Sequence, residues 1–153
     1  LARTAFLLSK FAGFATLILG ITVASYVVVV VGSSVIEGDI DLRYAAAVHL
    51  VAVLLALAIA GYSTLASCLF MDPRRSLAVA GLVTALGYFA NFVGLSVQSV
   101  GWLKNLSLFY YFDSLRLLVV GDVNWVGIGV YVGVTAAGLA IAVVVFQRKD
   151  VVR

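Results

Sequence analysis

Charged residues divide the chain into four long uncharged stretches, and these predict membrane-spanning helices. Each stretch exceeds the roughly 20 residues that an α-helix needs to cross a hydrocarbon core about 30 Å thick. A charge at mid-membrane costs about 2.5–3.5 kcal/mol on insertion scales, so stretches bounded by charges are a strong signal. The pattern predicts an all-α, polytopic integral membrane helical bundle that forms a single transmembrane domain. The predicted spans cover about residues 11–36, 44–71, 76–98 and 124–147 of the 153-residue chain.

Composition excludes the other structural classes. The chain is 64% apolar and 11% charged, whereas soluble domains average about 45–50% apolar and about 25% charged. A small domain cannot hide so much apolar surface in its own core. The single cysteine and single proline also exclude a disulfide scaffold and a proline-rich linker.

The two predicted sides of the membrane differ in their content of Lys and Arg. Because these residues accumulate in cytoplasmic connections, the richer side is predicted to face the cytoplasm. The chain is therefore expected to be a multi-pass protein of the cell (plasma) membrane with both termini and the turn at residues 72–75 inside. The inner side carries Arg3, Lys10, Arg74, Arg75, Arg148, Lys149 and Arg153, and the outer side carries Arg43, Lys104 and Arg116.

The segment at about residues 106–121 does not fit the pattern of a fifth span. It is short and carries Asp113 and Arg116, and a span here would move the C-terminal basic residues outside, against the charge bias. We expect a short re-entrant or interfacial helix on the extracellular side, where Asp113 and Arg116, three residues apart, are placed to pair. Its aromatic cluster, which suits the headgroup level, comprises Phe109, Tyr110, Tyr111 and Phe112.

Two polar side chains inside the predicted spans are candidates for function, because such groups need partners in hydrocarbon. His49 lies near the outer interface, where a hydrogen-bonded structural role and a functional role are alternatives. Asn91 lies deeper, where hydrogen bonding between helices and the lining of a substrate path are alternatives.

A stripe of small residues lies on one face of the fourth span. Gly129, Gly133 and Ala137 recur every four residues, a spacing that lets helix backbones approach closely. The stripe predicts either packing within the bundle or a dimer face.

The sequence lacks the residues that several kinds of chemistry require. One His and one Cys cannot supply the usual ligands of a metal site, and the sequence contains no P-loop motif for ATP. The predicted spans hold no paired carboxylates and no nucleophile beside a base. We therefore expect that the chain is not an enzyme and is not an ion-coupled carrier.

Three segments carry a resemblance to a known family. Residues 1–11 read LARTAFLLSKF before a Gly-, Ala- and Thr-rich span, residues 105–116 read NLSLFYYFDSLR, and residues 146–151 read FQRKDV. In that order they resemble the start of the third transmembrane helix, the extracellular element between the last two spans and the C-terminus of ABC-2 type ABC transporter permeases. Because these permeases have six spans, the resemblance implies that the chain is the C-terminal four-span portion.

The resemblance implies the function of a membrane-spanning permease subunit of an ATP-driven transporter, with export as the commoner use. Such a subunit forms the substrate path and is driven by a separate ATP-binding cassette subunit, which holds ATP and Mg, so no cofactor is expected in this chain. The implied partners are that subunit, a second permease protomer in a homodimer or heterodimer, and membrane lipids. Nucleic acid is not an expected partner. The alternative is a stand-alone four-span membrane scaffold without transport activity.

The resemblance also assigns two groups of residues. The outer element that contains Phe109, Tyr110, Tyr111, Phe112, Asp113 and Arg116 would act as a gate, with a plain interfacial anchor as the alternative. The cytoplasmic residues available to contact the ATP-binding subunit are Arg3, Lys10, Asp72, Arg74 and Arg75. For the basic members of this second group, the alternative is that they set the topology and attract anionic lipid.

Overall fold

A computed structural model describes residues 2–36, 40–70 and 72–148, without the side chains of the first two. The described residues form helices and connections and contain no strand. Four of the helices are long and apolar enough to cross a membrane, which confirms the four predicted helices. The elements are α1 (Ala2–Ile36), α2 (Leu42–Phe70), α3 (Pro73–Ser96), two 3₁₀ helices (Gln98–Leu106 and Leu108–Tyr111), α4 (Ser114–Val120) and α5 (Trp125–Arg148).

Some helices begin at other residues than the predicted spans, because local interactions set the helix ends. α1 begins at Ala2, well before residue 11, because Lys10 is exposed on the helix and does not interrupt it. α3 begins at Pro73 because the Asp72 carboxylate caps it, accepting hydrogen bonds from the backbone N–H of Arg74 at 2.8 Å and of Arg75 at 3.4 Å. Proline suits the first helical position, since its missing N–H has no partner there.

α2 is the central helix, and it contacts α1, α3, α4 and α5. Glycines allow its close approach to α5. A Cβ on Gly138 would lie 2.8 Å from the carbonyl carbon of Gly61, and a Cβ on Gly61 would lie 3.0 Å from Thr135 Cα. Ala58 and Tyr131 are fully buried in the same interface. The two backbones therefore touch, as is common where small residues meet between membrane helices.

Apolar side chains cover the outer surfaces of the four long helices. None of the residues in the apolar window of α1 is buried, and Val28, Leu77 and Trp125 each expose more than 70% of their surface. Soluble monomers rarely carry contiguous apolar surface on this scale. The exposed surface is compatible with a membrane protein.

The bundle has two chemically different ends. Thr4 accepts a hydrogen bond from Gln147 at 3.0 Å, so the start of α1 and the end of α5 lie together. We call this end, which carries Lys10, Arg74 and Arg148, the basic end. The opposite end holds the long connection, residues 97–124, which links α3 to α5.

Candidate functional site

The long connection turns back along α3 and enters the bundle from the opposite end. Its first 3₁₀ helix packs against α3 so closely that a Cβ on Gly94 would lie 2.5 Å from the backbone nitrogen of Lys104. The ring of Phe109 then meets Tyr88 edge to face, with centroids 5.7 Å apart, beside Gly87. Gly87 lies nine residues before Ser96, so the ring of Phe109 reaches a level about 14 Å along α3 from the end of that helix at 1.5 Å per residue.

The connection then returns to the opposite end. α4 packs against α2, and Gly121 follows it with φ of 73°. Glycine adopts this left-handed conformation without a Cβ penalty, and a Cβ here would also lie 2.5 Å from the ring of Tyr44 in the first turns of α2. The path down at Phe109 and back at Gly121 makes the connection a hairpin-like insertion between α2, α3 and α5.

Polar contacts hold the deepest part of this insertion. The hydroxyl of Ser107 is buried and accepts the backbone N–H of Phe109 at 3.1 Å. Tyr131 of α5 donates its phenol to the carbonyl of Leu108 at 3.0 Å. Buried irregular backbone needs partners for its polar groups, and these two side chains supply them for the N–H of Phe109 and the carbonyl of Leu108.

A second set of contacts joins the insertion to the start of α5. Asn124 caps α5 by accepting the N–H of Gly127 at 3.1 Å, and its amide donates to the carbonyl of Tyr111 at 3.4 Å. A Cβ on Gly127 would lie 2.9 Å from Tyr111 Cβ, so glycine is needed for this close approach. The position of Tyr111 is therefore set by the first turn of α5.

The aromatic residues assigned to the gate divide between two surroundings. Phe109, Tyr111 and Phe112 pack on a buried cluster that includes Tyr131. Tyr110 instead faces the Lys104 ammonium, which lies 5.1 Å from its ring centroid. Three of the four rings therefore fill space inside the bundle end, and the fourth takes part in a cation–π contact.

The predicted ion pair of Asp113 with Arg116 is wrong, because Arg116 pairs with a different carboxylate. Asp113 caps α4, its carboxylate accepting the N–H of Arg116 at 3.1 Å. The Arg116 guanidinium pairs with Asp122 at 2.7 Å, which the turn at Gly121 brings back beside it. Both side chains are at least half exposed, so the pair contributes at most about 1 kcal/mol.

The residues assigned to the cytoplasmic contact lie at the basic end but do not form one cluster. Asp72 caps α3 and pairs with Arg75 at 3.6 Å, whereas Lys10 of α1 has its ammonium 5.0 Å from the ring centroid of Phe6. Arg74 is exposed. The side chain of Arg3 lies outside the described residues, as do Lys149 and Arg153.

His49 joins α1 to α2. Its Nδ1 lies 2.8 Å from the carbonyl oxygen of Ala45, and its Nε2 lies 3.3 Å from the hydroxyl of Ser25. A neutral imidazole that donates from Nδ1 and accepts at Nε2 satisfies both contacts. The ring also meets Tyr26 edge to face at 5.4 Å, so the surroundings of His49 are those of a helix-to-helix contact.

Asn91 occupies a different kind of site. Its amide oxygen is buried, and no described residue donates a hydrogen bond to it, so the helix-to-helix bond expected from the sequence is not made there. Asn91 shares a face of α3 with Gly87 and Gly94, which contact the long connection. A buried unpaired carbonyl costs about 1–3 kcal/mol, and the alternative role in a substrate path stays a prediction.

The predicted small-residue stripe on α5 is uncovered. Cβ atoms on Gly129 and Gly133 would meet nothing within 4 Å, and Ala137 is exposed. In the described part of the chain, this stripe therefore does not pack against another helix. The close contact of α5 is made instead by Gly138, which lies on another face.

Sequence reasoning missed Tyr131, Ser107 and Asn124. A tyrosine near the start of an apolar span is the one sequence feature that could have indicated Tyr131, because a buried phenol normally finds a hydrogen-bond partner.

Among the described residues, no group of three or more His, Cys, Asp or Glu side chains could hold a metal ion. No protein-family model, curated protein or solved structure matches the chain.

Proposed function

We propose that the chain is a membrane-spanning permease subunit of an ATP-driven transporter of the ABC-2 type, with a separate ATP-binding subunit as its motor. The observation that carries the proposal is the inserted connection at the opposite end. A segment that enters a bundle of spanning helices and returns to the same side is suited to closing one end of a path. This geometry agrees with the re-entrant gate that the sequence resemblance implies for Phe109, Tyr110, Tyr111, Phe112, Asp113 and Arg116.

The proposed membrane insertion accounts for the apolar exteriors of the four long helices. In a bilayer, surfaces such as that of α1 contact lipid or a second protomer and need no cover from the rest of the chain. The uncovered stripe of Gly129, Gly133 and Ala137 offers backbone-level approach to a second protomer, in a homodimer or a heterodimer.

The proposed orientation places the basic end in the cytoplasm of a cell whose plasma membrane holds the protein. Lys10, Arg74 and Arg148 then satisfy the excess of positive charge on the inner side. The inserted connection faces outward in this arrangement, so the gate and the motor would act at opposite ends of the path.

We expect cysteine labelling in intact cells to reveal this orientation. Single cysteines at Asn105 and Gln147, two exposed amides, are introduced after Cys68→Ala removes the one cysteine of the sequence. A membrane-impermeant maleimide should label Asn105→Cys in intact cells and Gln147→Cys only after permeabilisation. The reverse pattern would exclude a motor at the basic end.

The test of function is association with a motor subunit. When the tagged protein is purified from its native membranes, a subunit that carries a P-loop should co-purify, and phosphate release should show ATP hydrolysis in the complex. Arg74→Glu should lower the recovered ATPase activity several-fold, because it reverses an exposed charge in the first turn of α3 at the basic end. Arg43→Glu, in the first turn of α2 at the opposite end, should leave the activity unchanged.

Two results would contradict the proposal. Recovery of the intact protein without any P-loop subunit would favour the stand-alone scaffold. Equal loss in the Arg74 and Arg43 variants would show that the ATP-binding subunit does not recognise the basic end.

A further inference from the structure

A cleft of about 360 Å³ opens at the basic end between α1, α2 and α3. Its deepest lining residue on α2 is Ala60, ten residues before Phe70, and on α3 it is Ala80, seven residues after Pro73. At 1.5 Å per residue these positions lie about 10–15 Å from the helix ends. That depth equals about one leaflet of a hydrocarbon core about 30 Å thick.

Among the described residues, Lys10 is the one charged residue that lines the cleft. Helical side chains tilt toward the helix N-terminus, and the N-terminus of α1 is at the basic end. The Lys10 ammonium accordingly lies 5.0 Å from the ring centroid of Phe6, one turn nearer that end. The charge of Lys10 therefore lies on the side of the cleft nearer the basic end, as expected of a snorkelling lysine.

No described carboxylate neutralises Lys10. The acidic side chain described at this end, Asp72, caps α3 and pairs with Arg75. Ser67 and Ser76 also line the cleft, and their hydroxyls make no hydrogen bond to other described residues. The lining therefore offers a cation and two hydroxyl donors together with apolar side chains such as Phe14 and Ala80.

We propose that the cleft binds one anionic phospholipid from the leaflet at the basic end. The lipid phosphate lies at Lys10 with Ser67 and Ser76 as hydrogen-bond donors, and one acyl chain lies between Phe14 and Ala80. The charge of Lys10 selects an anionic headgroup. The apolar walls, which are about as deep as one leaflet, select a lipid with an acyl chain over a free anion. This inference rests on the membrane insertion proposed above and is independent of any motor subunit.

Native mass spectrometry of the purified full chain tests the site. The protein is equilibrated in mixed micelles with equal amounts of phosphatidylglycerol and phosphatidylcholine, and we expect one retained phosphatidylglycerol. Lys10→Gln should lower this retention about tenfold, because a charge-assisted hydrogen bond to the phosphate is lost, whereas Lys10→Arg should keep it. Arg74→Gln is the matched control, since Arg74 lies at the same end outside the lining of the cleft.

A second variant tests the apolar part without changing charge. Ser67→Phe places a ring in the cleft and should displace the lipid. If this variant does not fold, the comparison of Lys10→Gln with Arg74→Gln still decides the matter. Equal losses in these two variants, equal retention of the two lipids, or full retention in a folded Ser67→Phe protein would each overturn the site. Retention at Lys10 in a protein that recruits no P-loop subunit would leave the lipid site standing and remove the proposed motor.

Discussion

Replacing Gly138 by leucine is expected to separate α2 from α5 and to lower the free energy of unfolding by about 3 kcal/mol or more. Even the Cβ of such a side chain would lie 2.8 Å from the carbonyl carbon of Gly61. Those atoms are backbone and cannot rotate away, so the helices must move apart, and overpacking of this kind costs about 1–3 kcal/mol and occasionally more. Alanine at the same position should cause a smaller loss, because it adds the clashing Cβ alone.

The same helix provides the control. Gly129→Leu and Gly133→Leu place the identical side chain where a Cβ meets nothing within 4 Å. Because leucine is a better helix former than glycine by up to about 1 kcal/mol, these variants should be neutral or slightly more stable in the single protomer, where no second copy contacts the stripe. Unfolding in mixed detergent micelles, followed by circular dichroism, measures the stability of all four variants. An equal loss in the Gly129 and Gly138 variants would show that the helix contact is not where the structure places it.

The four long apolar helices could be predicted from the sequence because they follow from one strong rule. Hydrocarbon tolerates few charges, so the number of residues between successive charged residues predicts where an apolar helix is long enough to span. Helix ends were less predictable, since they depend on local chemistry such as the Asp72 cap that starts α3 at Pro73. A basic residue such as Lys10 bounds an apolar stretch without ending the helix, as α1 demonstrates.

Which helix faces meet could not be predicted from the spacing of small residues. Gly129 and Gly133 recur at the spacing typical of a helix contact yet lie open. Gly138 and Gly61, which do touch, are not marked by a stripe of their own. A glycine permits close approach but does not attract a partner, so the rotation of each helix is decided by the shapes on both sides.

That residues 106–121 form no long apolar helix could be predicted from the sequence, but the contacts of this segment could not. Its aromatic cluster and its shortness indicate an element that does not span, yet nothing local to residues 106–121 predicts that Tyr131 binds the Leu108 carbonyl. The ion pair of Arg116 likewise needs the left-handed turn at Gly121. Such contacts join residues whose relation in space depends on the path of the whole connection.

Replacing Tyr131 by phenylalanine is expected to loosen the inserted part of the connection while leaving the long helices in place. The ring of Tyr131 is fully buried, and its phenol donates to the carbonyl of Leu108 at 3.0 Å. Phenylalanine keeps the packing but leaves this carbonyl without its donor, at a cost of about 1–3 kcal/mol. Tyr131→Ala should cost about 3–5 kcal/mol, because it also empties the space of the ring.

Tyr111→Phe is the matched control for this second prediction. Tyr111 also donates its phenol to a carbonyl of the connection, that of Asn105, at the same distance of 3.0 Å. That bond is exposed, so water or a headgroup can replace the lost donor. Amide hydrogen exchange around Ser107 and Phe109 should therefore accelerate in Tyr131→Phe and change little in Tyr111→Phe. If the two variants exchange alike, the buried bond does not hold the insertion.

In the proposed permease, the same Tyr131→Phe protein should let the gate open without ATP. ATP-independent leakage of an ion across proteoliposomes would measure that opening.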